Sequence, residues 1–209
     1  MRRKMSSTDH LYQGKSNQIE TTIEIQLTNR DKKSVFFRGI LIVPMVIFLS
    51  SFTQSVNVGV SFGGLLFVPA LLALLVRGVY PSYVLSFNKA MLELNTRVFS
   101  YALLLTDQYP SIETNPNIKI EIPEIEGGAK LSRVLPLVKW IFAIPLYIVG
   151  IIYAVIALVF TLFAWIITSA TGNYPESIAN FVLGTIEFWN RVDGYAIILV
   201  TDDYPRFTP

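Results

Sequence analysis

The sequence predicts an all-α membrane protein with four transmembrane helices, laid out as two tandem parallel repeats. Each repeat is expected to be a helical hairpin followed by an interfacial amphipathic helix, with short strand-like segments on the cytoplasmic side. Three observations lead to this fold class. Of the 209 residues, 52% are hydrophobic and only 15% charged, whereas an ordinary soluble domain carries roughly 25% charged residues. The mean hydropathy is +0.49, more apolar sequence than a water-soluble core of this size takes up, so a bilayer is the natural solvent. Finally, one set of motifs occurs twice in register.

Residues 1–18 are polar and without periodicity, and read as a disordered tail. They are basic at the start, but no apolar run follows at the distance a signal peptide needs, so no cleavage is expected. From Ile19 to Leu27, Ile23, Ile25 and Leu27 alternate with Glu24 and Gln26, the pattern of a short strand. Two apolar stretches follow, Val35 to Phe52 with Arg38 and Pro44 near its start, and Phe62 to Val76, separated by an uncharged break around Asn57. Each is about the length of one helix across a hydrocarbon core of roughly 30 Å.

After Tyr80-Pro81, the segment Ser82 to Leu105 changes character. Ser82, Ser86, Lys89, Glu93, Arg97 and Ser100 recur in steps of three and four, one polar stripe on an otherwise apolar helix. Thr106-Asp107-Gln108-Tyr109-Pro110 ends it. A polar connector then carries a second strand-like alternation, Ile118, Ile120 and Ile122 against Lys119 and Glu121. The apolar run from Val138 to Ala170 would measure roughly 48 Å as one straight helix. Two short spans joined by a tight turn near Gly150 are therefore expected, with one long tilted or broken helix as the alternative. Tyr174-Pro175, a further amphipathic segment and Thr201-Asp202-Asp203-Tyr204-Pro205 close the chain.

The two halves carry the same signals. Gly78, Tyr80 and Pro81 match Gly172, Tyr174 and Pro175, and at the same offset Glu93 matches Glu187, Arg97 matches Arg191 and Tyr101 matches Tyr195. One inserted residue later, Thr106, Asp107, Tyr109 and Pro110 match Thr201, Asp202, Tyr204 and Pro205. Upstream, Arg38 precedes Pro44 by the same interval as Lys139 precedes Pro145. Internal duplication accounts for so many identities in register, with repeats at 19–110 and 111–209. With two spans per unit both copies share one orientation, and the basic residues outside the spans fall on one side, opposite the loop near Asn57. The positive-inside rule then places both termini in the cytoplasm. Were Ser82 to Leu105 to cross the bilayer instead, Lys89, Glu93 and Arg97 would enter hydrocarbon at about 2.5–3.5 kcal/mol each.

The run LSRVLPLVKWIFAIPLYIV, followed by TGNYPESIANFVLGTIEFWNRVDGYAIILVTDDYPRF, resembles the bacterial membrane family catalogued as domain of unknown function 4389. The shared pattern is a basic-aromatic-x-x-x-Ile-Pro entry, a Thr-Gly-x-Tyr-Pro turn, an Arg-Val-x-x-Tyr helix and a Thr-Asp-x-Tyr-Pro ending. The second half, from about Ile118 to Pro209, carries all of it, and the first half is a degenerate copy without the tryptophans. The resemblance implies a bacterial inner-membrane protein and no particular activity.

Cysteine is absent and His10 is the only histidine, which removes disulfides, thiolate metal sites and imidazole sites within the apolar runs. No Gly-rich phosphate loop, nucleophile elbow or zinc-protease helix occurs, so neither enzyme activity nor a cofactor is expected. A net charge of +2 points to no nucleic-acid partner. The pairs Glu93/Arg97 and Glu187/Arg191, at i and i+4, are expected as local ion pairs or as contacts to lipid phosphate or a partner. The motifs Tyr80-Pro81, Tyr174-Pro175, Thr106/Asp107/Tyr109/Pro110 and Thr201/Asp202/Tyr204/Pro205 are expected to close turns at the membrane–water boundary. The function this favours is a non-catalytic accessory or scaffold subunit of a bacterial inner-membrane assembly. It would dock a partner membrane protein or anionic lipid through its two cytoplasmic-face amphipathic helices. A lipid-handling or small-solute transporter is the alternative.

Overall fold

A computed structural model of the chain describes residues 2–5, 17–53, 61–62, 65–113 and 116–209. The loop near Asn57 and most of the N-terminal tail, His10 included, lie outside the described residues. The described chain is mostly helical, but it is not all-α. The strands β1 (Arg2–Met5), β2 (Glu20–Gln26) and β5 (Ile118–Glu121) form an antiparallel sheet in the order β1-β2-β5. Residues 2–5, expected within a disordered tail, are thus an edge strand, with Arg2 opposite Gln26 and Met5 opposite Ile23. Strand β2 pairs on its other side with β5, Glu20 opposite Glu121 and Ile23 opposite Ile118.

The two amphipathic segments form the middle of the molecule as α5 (Ser82–Ala102) and α8 (Glu176–Ala196), 21 residues each. Each starts after a proline with extended backbone, Pro81 at ψ 129° and Pro175 at ψ 125°, since proline fits a helix start where its missing N–H costs nothing. Each is preceded by a helix that stops at a left-handed glycine, Gly78 (φ 64°) and Gly172 (φ 77°). Gly78 N–H bonds Leu74 O and Gly172 N–H bonds Thr168 O, the usual capping of orphan carbonyls.

Strand β2 lies along α8. Ile19 packs at Gly194, the Asn190 amide donates to Thr21 Oγ1 at 2.9 Å, and Tyr174 N–H donates to Leu27 O at 2.8 Å. From residue 174 to 194 a helix advances about 30 Å, and from 19 to 27 a strand advances about 26 Å, so strand and helix run side by side over their lengths. Ile23, Ile25 and Ile118 are buried with Ala179, Leu183 and Leu105, while Lys119 and Glu121 point away from the helices.

A second layer covers the opposite side of α5 and α8. It holds α1 (Lys32–Phe36), α2 (Arg38–Leu41), α3 (Val43–Thr53), α4 (Phe67–Arg77), α6 (Pro136–Phe142) and α7 (Ile144–Thr171). Helix α7 runs antiparallel to α8, with Tyr147 on Trp189, Tyr153 between Phe188 and Phe181, and Phe160 on Phe181. Its other end meets α1, where Trp165 stacks on Phe36 and donates to Val35 O.

The apolar runs differ from the four expected spans. Residues 144–171 form one continuous helix of 28 residues, about 42 Å long, so the tight turn near Gly150 is not made and the single-helix alternative holds. Gly150 serves close packing instead: a Cβ there would lie 2.7 Å from Trp189 and 2.9 Å from Phe188. Only this helix is long and apolar enough to cross a membrane among the described residues. In the first half, breaks fall at Phe37 and Ile42, the latter two residues before Pro44, whose missing N–H removes a bond to the preceding turn. Ala143 stands in the same place before Pro145. The stretch expected from Phe62 is helical only from Phe67. Just before it β3 (Ser61–Phe62) pairs with β4 (Leu65–Leu66), and the buried Asn88 side chain bonds both Leu66 N–H (2.7 Å) and Leu66 O (3.2 Å). Of the two helices expected to offer a docking surface, α8 beyond its first turns is covered on one side by the sheet and on the other by the apolar layer, whereas α5 keeps Ser82, Tyr83, Ser86 and Lys89 exposed.

Gly150→Ala is expected to lower stability by about 1–3 kcal/mol, as overpacking does, read as a lower thermal midpoint in detergent. An unchanged midpoint would mean α7 and α8 do not approach this closely.

Candidate functional site

The chain's most built polar sites lie where α5 and α8 end. After Ala102 the chain turns through Leu104 (φ 66°), and after Ala196 through Leu199 (φ 63°). Left-handed backbone is unfavourable for a leucine, so these two turns are held by what surrounds them. Both leucines are buried, 1% and 0% exposed.

In the first turn, Arg38 from α2 reaches in. Its guanidinium donates to Tyr101 O (2.9 Å) and Thr106 O (2.6 Å), pairs with Asp107 at 2.5 Å and lies 4.1 Å over the Tyr101 ring. Arg30 adds a second cation, 2.7 Å from Asp107 and donating to Leu104 O at 2.7 Å. Asp107 also accepts the Asp31 N–H at 3.0 Å. In the second turn, Lys139 from α6 donates to Thr201 O (2.6 Å), pairs with Asp202 (2.7 Å) and sits 5.1 Å over Tyr195. Asp202 accepts the Ser132 N–H at 2.7 Å. Arg38 and Lys139 are 3% and 0% exposed, so each apolar segment turns its one basic residue inward, onto a carboxylate and a helix C-terminal end.

The expected turn residues fall into place around these pairs. Thr106 Oγ1 accepts the N–H of Gln108 and Thr201 Oγ1 that of Asp203, at 3.2 and 3.1 Å, the side-chain turns their sequence predicts. The rings of Tyr109 and Tyr204 pack edge-on to Tyr101 and Tyr195, at 5.5 and 5.6 Å. Pro110 and Pro205 are buried. Tyr80 and Tyr174 bond crosswise: the Tyr80 hydroxyl donates to Ile198 O beyond α8, and the Tyr174 hydroxyl to Leu103 O beyond α5. At the centre Thr96 of α5 meets Asn190 of α8, with the Asn190 amide donating to Thr96 Oγ1 at 3.1 Å.

Arg97 and Arg191 stand apart from the two clusters. Arg97 is 4% exposed and donates to Glu113 O, while Arg191 donates to Thr208 O at 2.6 Å and lies 3.9 Å from Glu187. Glu93 is half-buried on the same turn as Arg97. What the sequence reading missed is the partner of each aspartate. The equal spacing of Arg38 and Lys139 from their prolines carried that signal, but Arg30 and Asn88 gave none.

Burial opposes the charged form of Asp107, but the hydrogen bond and charge of Arg30, the Asp31 N–H and Arg38 outweigh it and hold the carboxyl below its ordinary value. Between α3, α5, α7 and α8 lies a cavity of about 750 Å³ with a mainly apolar lining, to which Asn95, Thr185, Asn190 and Asp193 add polar groups. Loss of solvation pushes the Asp193 carboxyl up to about 7. Among the described residues no group of three or more His, Asp or Glu is placed to hold a metal ion.

The sequence model of the family described as Domain of unknown function (DUF4389) matches residues 136–208. That match contains α6, α7, α8 and both Lys139 and Asp202, and leaves residues 1–135 outside it, Ser132 among them. Comparison with curated proteins and with solved structures finds no match.

Asp107→Asn leaves two buried guanidinium groups short of their counter-charge and is expected to cost about 3–5 kcal/mol, read by thermal or denaturant unfolding. Because the folded-state value of Asp107 is depressed, its contribution is present above the unfolded value of about 3.9 and is lost as pH falls through the folded value. The wild-type midpoint should drop below about pH 4, and the variant should lack that part of the drop. In the second cluster Asp202→Asn alone should cost a similar amount, and adding Lys139→Met should recover most of it, since replacing both members of a buried pair is often nearly neutral. Additive losses in the double variant would mean the pair is not coupled.

Proposed function

We propose that this chain is a non-catalytic accessory or scaffold subunit of a bacterial inner-membrane assembly, built from two tandem copies of one unit. One observation carries the membrane role. The helices α3, α4 from Phe67 to Val76, and α7 contain no Asp, Glu, Lys or Arg, and they share one side of the molecule. The opposite side is a polar sheet face. Patches of apolar surface this extensive are uncommon on soluble monomers and mark contact with lipid or with another protein. The duplication is supported by the contacts that recur at matched positions: Arg38 and Lys139 on their aspartates, Leu104 and Leu199 in left-handed turns, Tyr80 and Tyr174 bonded crosswise. Thr96 and Asn190, themselves matched, meet where the two copies cross.

With α8 enclosed, the surfaces left for a partner are the first half of α5, where Ser82, Ser86 and Lys89 are exposed, and the outer face of the sheet, which presents Glu20, Thr22, Glu24, Lys119 and Glu121 from β2 and β5. Their mixed charge suits a polar protein surface. A second reading, lipid handling, is favoured by the apolar cavity beside Asp193, whose size suits an acyl chain. Purification at native expression in mild detergent should bring down a stoichiometric partner that is lost when Lys119 and Glu121 are both reversed in charge. Recovery of the chain alone, moving lipid or solute in proteoliposomes, would overturn the scaffold role and favour the second reading.

A further inference from the structure

We infer that α7 does not cross the bilayer. It lies in the plane of one leaflet, and the chain is held to a single membrane face by its whole apolar layer. The inference rests on the membrane role proposed above and goes beyond it, because a helix of 28 residues with no charge has the length and composition of a span.

The packing forbids the crossing. Helix α7 is antiparallel to α8 from Tyr147 on Trp189 to Phe160 on Phe181, and β2 lies along the other side of the same helix from Gly194 to Tyr174. At about 100° per residue, Gly194 and Asn190 lie on one side of α8, and Phe181, Phe188 and Val192 on the other. Helix α8 is thus a slab between α7 and the sheet, and all three share one direction. If α7 stood across the membrane, β2 and β5 would stand across it too, carrying Glu20, Glu24, Lys119 and Glu121 into hydrocarbon. The open strand edge of the sheet would face lipid, where unpaired backbone groups are not tolerated.

Turned through a right angle, the same molecule fits a membrane surface. Ile148, Ile151, Val155, Leu162 and Ile166 are 56–60% exposed on the outer side of α7, and one helix diameter of about 10 Å fits within a leaflet. The charges then form a rim. Lys32 and Lys33 stand at the Thr171 end of α7, where Lys32 bonds Ala170 O at 2.7 Å. At the other end stand the exposed Arg77 and Arg133, with Arg133 against Gly78. Cations at both ends of α7 suit the anionic headgroups of one leaflet. In a spanning helix they would lie on both sides of the membrane, against the positive-inside rule. The exposed Trp140, 55% accessible beside the start of α7, suits the same boundary.

The chain has no cysteine, so single cysteines report position directly. Lys33→Cys, Arg133→Cys and Lys119→Cys mark the two ends of α7 and the sheet, and Leu162→Cys marks the outer side of α7. The whole chain is tested in sealed vesicles of each orientation with a membrane-impermeant maleimide. These first three positions should label from one side only, the same side, and Leu162→Cys should label only after detergent. Labelling of Lys33→Cys and Arg133→Cys from opposite sides would overturn the inference and leave the membrane role standing. Release of the protein by alkaline carbonate, with Leu162→Cys labelled without detergent, would overturn both. A soluble dimer that shields Leu162→Cys would do the same and make a second copy the occupant of this face.

Discussion

The fold depends on where two positive charges are put. Arg38 and Lys139 each sit in a segment that is otherwise apolar, and a cation left on the outer side of that layer would break its one uniform property. Both are instead drawn inward onto an aspartate that follows the end of a long helix. The unpaired carbonyls at the C-terminal ends of α5 and α8 add to the attraction, since a helix end of that polarity favours a cation. In return the cations bond Tyr101 O, Thr106 O and Thr201 O, holding turns that contain a left-handed leucine. Charge removal and turn closure are the same interaction, so neither can be lost without the other.

The two clusters also fix how the halves assemble. The Arg38 cluster gathers residues from α2, the end of α5 and, through Arg30, the carbonyl of Leu104, while the neighbouring Arg30 N–H bonds Gly172 O at the end of α7. The Tyr174 hydroxyl completes it from the other half of the chain. At the far pole Tyr80 does the same service for the turn after α8. Each half therefore closes the helix end of the other, and α5 and α8 cross at Thr96 and Asn190 with no apolar side chain between their polar groups. Such a crosswise arrangement makes the two halves interdependent for folding, although their sequence signals are legible separately.

Much of this could be read in the sequence, and the failures have physical causes. The polar stripe at steps of three and four located α5 and α8 closely, because amphipathic periodicity reports a helix with two different neighbours. It did not say which neighbours: Ser82, Ser86 and Lys89 stay exposed while Arg97 and Ser100 are buried, and the sheet packed on the helices is visible in sequence only as the alternations at Ile23, Ile25 and Ile118, Ile120. The Thr-Asp-x-Tyr-Pro motifs gave the turns but not the ion pairs, since a pairing across more than 60 residues leaves no local pattern. By length alone the run from 138 to 170 reads as two spans, because length does not report what the helix packs against. Gly150 is not a turn but a helix position where two aromatic side chains need the space of a missing Cβ. Asn88, which caps the two backbone groups of Leu66, was one polar residue among many on its helix.

Length is thus the weaker guide to how an apolar helix meets a membrane, and the neighbours are the stronger. A span must carry every element packed parallel to it, and here that cargo includes a charged sheet. Four charged side chains at about 2.5–3.5 kcal/mol each on insertion scales come to roughly the whole stability of a typical domain. Tearing α7 away from α8 instead would expose the Gly150 contact and the ring stack from Tyr147 to Phe160. Both routes to a crossing are therefore costly, while lying flat keeps every observed contact and places the charge-free layer in lipid. The same physics would explain why Arg38 and Lys139 turn inward: in a layer laid flat on a leaflet, an outward-facing position away from the rim where Lys33 and Arg133 stand lies at hydrocarbon depth.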